Sequence, residues 1–207
     1  MMSPAKHPLD IYRCTAFRTP RIRLRPARAE DQPLMFGWRS DVETSRFLSG
    51  AAPATIDEQR RWFARVCDDP SYSYHIVEDE GVPIGFTSMY NADPACAEAE
   101  WGLIIGTSRK AGDVRIVAPL CCSCAFGVGG LDALYVCVNE ANVGAVRRVE
   151  QMGAVRFNEP SAYRKEGELL LRIQPDGFEE RRRALIAGNP ALADELAFEQ
   201  YRVETGA

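Results

Sequence analysis

The sequence predicts an α+β fold in αβα layers. A mixed, mostly antiparallel central sheet is flanked by helices and followed by a helical C-terminal extension. Three observations carry this. Two strand-like runs, 73–78 and 82–90, meet at Asp79-Glu80-Gly81, a hairpin signal. A strand-like run at 97–105 leads through a short polar loop into a helix-like run at 114–126. The same strand-to-helix step recurs at 133–138 and 142–152. With 207 residues, 46% hydrophobic and 26% charged, the chain fits one globular domain with a real core.

The elements follow in order. Residues 1–20 hold no apolar run of the signal-peptide kind and read as a flexible N-terminal arm. Ile22-Arg23-Leu24-Arg25 alternates apolar and charged residues, as a half-buried strand does, and Pro26 ends it. Ala29-Glu30-Asp31 opens a helix carrying Leu34, Met35 and Trp38, broken at Ser40-Asp41, with a further helical turn over 42–48. Thr55 and Glu58 have capping-box spacing and start a helix with Trp62, Phe63 and Val66 on one face. The third strand, 97–105, and the helix 114–126 come after the hairpin. A turn at 127–130 leads to a buried strand, and the next helix stops at Gly153. Residues 154–157 and 168–173 read as a closing strand pair, giving the order β-α-α-β-β-β-α-β-α-β-β over a domain at 21–174. Residues 175–207 read as two helices, 178–186 and 191–201, hinged at Gly188-Asn189-Pro190. They pack on the core or on a partner subunit, the latter giving a homodimer.

A net charge of −4 argues against nucleic acid or an anionic membrane as the main partner. No apolar run approaches the roughly 20 residues a membrane span needs. The seven cysteines, an odd number, point to free thiols and a cytoplasmic setting. Cys121 and Cys124 share a helix face, but no second Cys/His pair has zinc spacing, so packing is expected there and no metal. Arg181-Arg182-Arg183 reads as a solvated face.

The functional signal lies at Arg109-Lys110-Ala111-Gly112-Asp113-Val114. Backbone N–H groups at a helix start are free donors, and an Arg adds a fork of charge-assisted bonds, so the junction suits a diphosphate. Downstream comes Asn142-Val143-Gly144-Ala145, with Val149, Gly153 and Ala154 in the same run. Residues 21–173 resemble the GCN5-related N-acetyltransferase (GNAT) superfamily. Its acetyl-CoA loop reads Arg/Gln-x-x-Gly-x-Gly/Ala, matched by Arg109 and Gly112, with Val114 at the last position. Its second motif, Asn-x-x-Ala-x-x-x-Tyr-x-x-x-Gly-Phe, is matched by Asn142, Ala145 and Gly153. Val149 stands for the Tyr and Ala154 for the Phe.

The resemblance implies acetyl-CoA as co-substrate, no metal, and a small-molecule amine as acceptor. The diphosphate would lie on Arg109, Lys110, Ala111, Gly112, Asp113 and Val114. The pantetheine would lie beside a bulged strand, with Gly102 suited to the bulge, and would meet Asn142 and Ala145. Asn142 serves equally as a helix cap. Glu98 and Glu100 share a strand face, and Glu100 stands at the family's general-base position. Backbone N–H groups of Leu103 and Ile105 would hold the oxyanion. Val149 cannot protonate the departing thiolate, which leaves Tyr90, Tyr135, Tyr163 or water. Cys137 could carry an acetyl group or simply pack.

The run from Gly37 to Leu48, with Trp38-Arg39, resembles two branches of the superfamily. One acetylates N-termini of ribosomal proteins. The other acetylates the 4-amino group of a nucleotide-linked dideoxy amino sugar, as in pseudaminic acid biosynthesis for flagellin glycosylation. Glu58-Gln59-Arg60-Arg61-Trp62-Phe63, Tyr74-His75-Ile76-Val77 and Pro83-Ile84-Gly85 favour the sugar branch, in which Trp38, Arg39, Phe47, Met89, Tyr90 and Asn91 would line the acceptor pocket. A scaffold or sensor that keeps the fold without catalysis is the reading from a different class.

Overall fold

The computed structural model describes residues 9–48, 50, 52–93, 95–106, 114–159 and 161–202. Strands β1 (Thr15–Arg18) and β2 (Ile22–Pro26) are followed by α1 (Gln32–Ser40), α2 (Val42–Ser45) and α3 (Ile56–Val66). Then come β3 (Ser73–Asp79), β4 (Val82–Asp93), β5 (Glu98–Ile105), α4 (Val114–Gly127), β6 (Ala133–Asn139) and α5 (Val143–Gln151). The chain continues through β7 (Val155–Arg156), β8 (Glu168–Ile173), α6 (Pro175–Gly188), α7 (Leu192–Leu196) and β9 (Glu199–Arg202). Among the described residues the strands form one nine-stranded sheet, ordered β7-β8-β6-β5-β4-β3-β2-β1-β9. All pairings are antiparallel except β5 with β6.

Local chemistry sets the boundaries. Thr55 Oγ1 accepts from the Glu58 N–H at 3.2 Å and starts α3. Glu58 reaches one residue further back than the capping box predicts, accepting from the Ala54 N–H at 2.8 Å. The hairpin between β3 and β4 turns at Glu80 (φ 49°) and Gly81 (φ 80°), the left-handed pair of a tight two-residue turn. Gly153 (φ 89°) ends α5, and a Cβ there would meet the Gly177 carbonyl oxygen at 2.5 Å, so α6 starts against it.

The sheet separates two apolar layers. One holds Val77, Met89, Trp101 and Leu134 with the buried side of α4, α5, α6 and α7. On the other face Met35, Trp38 and Trp62 of α1 and α3 pack on Ile76 and Phe86. Cys121 and Cys124 are buried in the first layer, where burial pushes the Cys121 thiol up to about 12. They fill space as neutral thiols.

Two expectations change. The arm at 1–20 is not loose over its described part. Leu9, Tyr12 and Phe17 are buried, and β1 pairs with β2. The tail is not helical throughout, because α7 gives way to β9, which pairs with β1 from Arg18↔Glu199 to Thr15↔Arg202. Phe198 meets Phe17 edge-on at 5.7 Å, and Arg23 Nε donates to the Tyr201 hydroxyl at 2.7 Å. Elsewhere the tail packs on its own core through Phe178 and Leu196, with the Phe178 ring 5.6 Å from Phe126.

Candidate active site

Strand β5 is the spine of the site. On one side it pairs with β4 over Gly85↔Ile105 to Tyr90↔Glu100. On the other it pairs with β6 only at Glu98↔Ala133, Ala99↔Leu134 and Glu100↔Tyr135. Beyond Glu100 the two parallel strands part, leaving a gap between Trp101–Ile105 and Val136–Asn139. Gly106 N–H donates to Ile84 O on β4 at 2.8 Å. Backbone donors alternate sides along a strand, so the N–H groups of Leu103 and Ile105 are aimed into the gap. The gap continues into a cleft of about 640 Å³, lined on its sheet walls by Tyr90, Leu103, Ile105 and Cys137 and at the start of α5 by Asn142.

The bulge lies on β4 rather than at Gly102. Two residues, Asn91 and Ala92, stand opposite Ala99, and Asn91 takes φ 52°. Gly102 pairs regularly with Ser88, and its role is close approach: a Cβ would meet Ser88 Oγ at 2.9 Å and the Tyr90 ring at 3.3 Å.

Glu100 sits at the apex of the gap with no exposed surface. Its Oε1 accepts from the Tyr90 hydroxyl at 2.7 Å and from Lys165 Nζ at 2.5 Å, and its Oε2 from Asn91 Nδ2 at 3.3 Å. The Lys165 ammonium also lies 5.3 Å from the centre of the Tyr90 ring. Burial first, then the neighbouring Glu100 carboxylate, pushes the Tyr90 phenol well above its ordinary value. Of the three tyrosines considered as proton donors, Tyr90 lines the cleft. Tyr135 and Tyr163 stack on each other at 4.5 Å behind it, with the Tyr135 hydroxyl donating to Glu98 at 3.3 Å. Glu98 is also paired with Arg172 at 3.4 Å. Cys137 donates its thiol to Tyr163 O at 2.8 Å, and burial pushes it up to about 11, which disfavours the thiolate that a nucleophile needs.

The remaining residues divide. Val114, Ala145 and Asn142 line the cleft, and Asn142 caps α5 by accepting from the Ala145 N–H at 3.1 Å. Val149 is buried at the cleft floor with nothing to donate. Arg109, Lys110, Ala111, Gly112 and Asp113 lie outside the described residues. On the acceptor side Arg39 and Phe47 line the cleft, and Arg39 lies over the Trp62 ring at 5.3 Å. Trp38 instead packs against Gly106, where a Cβ would meet its indole nitrogen at 2.7 Å. Met89 is 1% exposed and faces the opposite layer, because neighbours in a strand point to opposite faces and Tyr90 takes the cleft side. Asn91 borders a neighbouring pocket with Asp93 and Glu98 and reaches the site through Glu100 alone. Lys165 escaped the sequence reading. It sits in the turn before β8, 65 positions from Glu100, in no motif. No group of three His, Cys, Asp or Glu able to hold a metal occurs among the described residues, and no helix among them is long and apolar enough to cross a membrane.

A family model described as an acetyltransferase (GNAT) domain matches residues 21–181. The chain belongs to the GNAT acetyltransferases. Solved structures with the same GNAT fold include a spermidine N-acetyltransferase from Vibrio cholerae in complex with CoA and spermine. It is 18% identical with a TM-score of 0.68, covering 76% of this chain and 98% of that one. A protein from T. thermophilus, provisionally assigned as an acetyltransferase, is 20% identical with a TM-score of 0.68, covering 84% of this chain and 96% of that one. A search of curated proteins found no significant match. GNAT enzymes use acetyl-CoA, and the chain is an acetyl-CoA-dependent N-acetyltransferase of this family. Among the described residues no backbone partner is seen for the N–H groups of Leu103 and Ile105 on the open side of β5.

Proposed function

We propose that the acceptor is a primary amine carrying an anionic group, first among candidates the 4-amino group of a nucleotide-linked dideoxy amino sugar. Arg39 carries this reading. It is half-buried in the cleft wall, and among the described residues no carboxylate pairs with it. Burial lowers its affinity for a proton more than the neighbouring Tyr74 raises it, so the guanidinium is partly desolvated with aromatic neighbours and no anion among the described residues to offset it. An acceptor phosphate would supply the missing charge, and the Trp62 and Tyr74 rings, 5.1 Å apart and edge-on, offer an aromatic surface for a base. A polyamine would meet repulsion at the same spot.

In the reaction Glu100 takes a proton from the acceptor ammonium, and the free amine attacks the thioester carbonyl carbon. The Leu103 N–H, the nearer of the two to Glu100, would hold the oxygen that gains charge, and the Ile105 N–H, about 7 Å further along the strand, would meet the arm of the thioester. The C–S bond breaks as the N–C bond stays. Tyr90 is the group suited to return a proton to the thiolate, since its phenol stays protonated and touches Glu100. The diphosphate would rest on Arg109 to Val114. Phe178 and Leu196 seat α6 and α7 on this chain's own core.

The test is CoA release with a nucleotide-linked 4-amino sugar, spermidine and an N-terminal peptide offered in parallel. The expected result is turnover of the sugar nucleotide, with Arg39→Ala raising its KM roughly 10-fold or more while the KM for acetyl-CoA holds. Turnover of spermidine or the peptide in its place overturns the reading. Turnover of none, with no acetyl-CoA binding, returns the scaffold.

A further inference from the structure

The ion pair at the apex has an unusual member. The chain holds 22 arginines and three lysines, Lys6, Lys110 and Lys165. Arg21, Arg25, Arg172 and Arg182 make ion pairs elsewhere. The neighbouring Arg164 does plain structural work, donating to Phe157 O at 2.6 Å and Glu159 O at 3.4 Å. Together with the Cys137 bond to Tyr163 O, this fixes the turn from both sides. The residue so fixed, Lys165, is a primary amine, and its Nζ lies on the carboxylate that would deprotonate an acceptor.

We infer that Lys165 occupies the acceptor-amine subsite and is itself acetylated when acetyl-CoA is bound without an acceptor. The inference rests on the reading of Glu100 and the β5–β6 gap as the catalytic apex. An arm lying along the gap with its acyl group at the closed end meets Glu100, where the strands rejoin. There Lys165 has what an acceptor needs: a carboxylate base at 2.5 Å, an aromatic face at 5.3 Å, and a side chain that is 36% exposed and lines the cleft. Arginine in its place would keep the charge but could not be deprotonated.

The step balances. The Lys165 ammonium gives one proton to Glu100 and on to solvent. The nitrogen lone pair forms an N–C bond to the thioester carbonyl, and the C–S bond breaks. The second nitrogen proton ends on the departing thiolate, giving CoA as the free thiol and Nε-acetyl-lysine. The product is neutral and no longer an ion partner for Glu100. A true acceptor ammonium must displace Lys165 from Glu100 and thereby protects it.

The experiment incubates the full chain with acetyl-CoA alone and follows intact mass and peptide maps, with acetyl-CoA binding measured by calorimetry on the same preparation. The expected result is one acetyl group, on Lys165, at a rate that saturates with acetyl-CoA. Lys165→Arg, which keeps the charge, should take up none. Glu100→Gln, checked for its fold by circular dichroism, should slow the reaction at least about 10-fold. Acetyl phosphate should give no preference for Lys165. Binding of acetyl-CoA with Lys165 unmodified overturns the inference and leaves the cofactor reading standing. Equal labelling of Lys110 and Lys165, or labelling indifferent to Glu100, marks chemical acetylation and overturns it too. Absence of binding removes both readings.

Discussion

Two buried ionic clusters on this sheet differ in one respect: whether the protein completes them. At the β2–β3 side, Arg25 donates from Nε to Glu78 at 2.7 Å and from both terminal nitrogens to Asp31, each at 2.7 Å. Arg23 adds a contact to Glu78 at 3.3 Å. Asp31 also accepts from the Arg28 N–H, ordering the turn into α1. Arg25, Asp31 and Glu78 each have a fixed partner and little exposure. At the cleft, no carboxylate among the described residues pairs with Arg39, and Glu100 is held by a lysine on a turn that reaches in from the cleft side. A closed cluster specifies structure. An open one leaves room for a ligand to finish it.

That contrast can be broken from either end. The largest effect is expected at the closed cluster. Arg25→Ala strips buried Asp31 of its ion partner and leaves Glu78 only the 3.3 Å contact to Arg23, and should lower unfolding free energy by about 3–5 kcal/mol in urea titrations, with kcat per folded molecule unchanged. The second lies beside it. His75 is wholly buried, with Nε2 2.9 Å from Thr15 O, and burial holds it at about 4 against an ordinary 6.5. Its unfolded form takes a proton first, so its contribution is complete above pH 6.5 and falls as the pH drops from 6.5 towards 4. The loss is on the order of 3 kcal/mol once both forms are protonated. Chemical denaturation across that window should show the slope, and His75→Gln should flatten it. At the open cluster, Tyr90→Phe removes the proposed proton donor and should lower kcat by roughly 10²-fold, with melting temperature moving little. If Tyr90→Phe destabilises as Arg25→Ala does, the two clusters are the same kind of object and the contrast fails. The smallest effect is remote from both: Thr55→Ala removes the cap of α3 and should cost about 1 kcal/mol, seen as a melting shift without change in KM.

Much of the fold was legible because its signals are local. Glu80-Gly81, Thr55, Asn142 and Gly153 each mark a boundary through their own backbone chemistry, and the structure keeps all four. The pairing of β1 with β9 was not legible, because it joins segments about 180 positions apart and neither four-residue strand alternates strongly. The site divided in the same way. Glu100 follows from a period-two strand and a motif. The bulge that brings Asn91 onto it depends on a left-handed Asn that no local pattern demands. Extending the acceptor pocket through Met89, Tyr90 and Asn91 in a row conflicts with the alternation of a strand, and the structure resolves it in favour of Tyr90. Lys165 comes from a turn whose position is set only when β8 docks beside β6.

The antiparallel seam between β1 and β9 bears on how the molecule is made. Translation delivers Thr15–Arg18 early and Glu199–Arg202 after everything else described. Until then the outer edge of β1 offers unpaired backbone groups to any neighbouring strand, including its equivalent on another nascent copy. Completion of this sheet is therefore vectorial and late. Truncation before Glu199 would leave the cleft residues intact and yet yield a protein inclined to stick to itself.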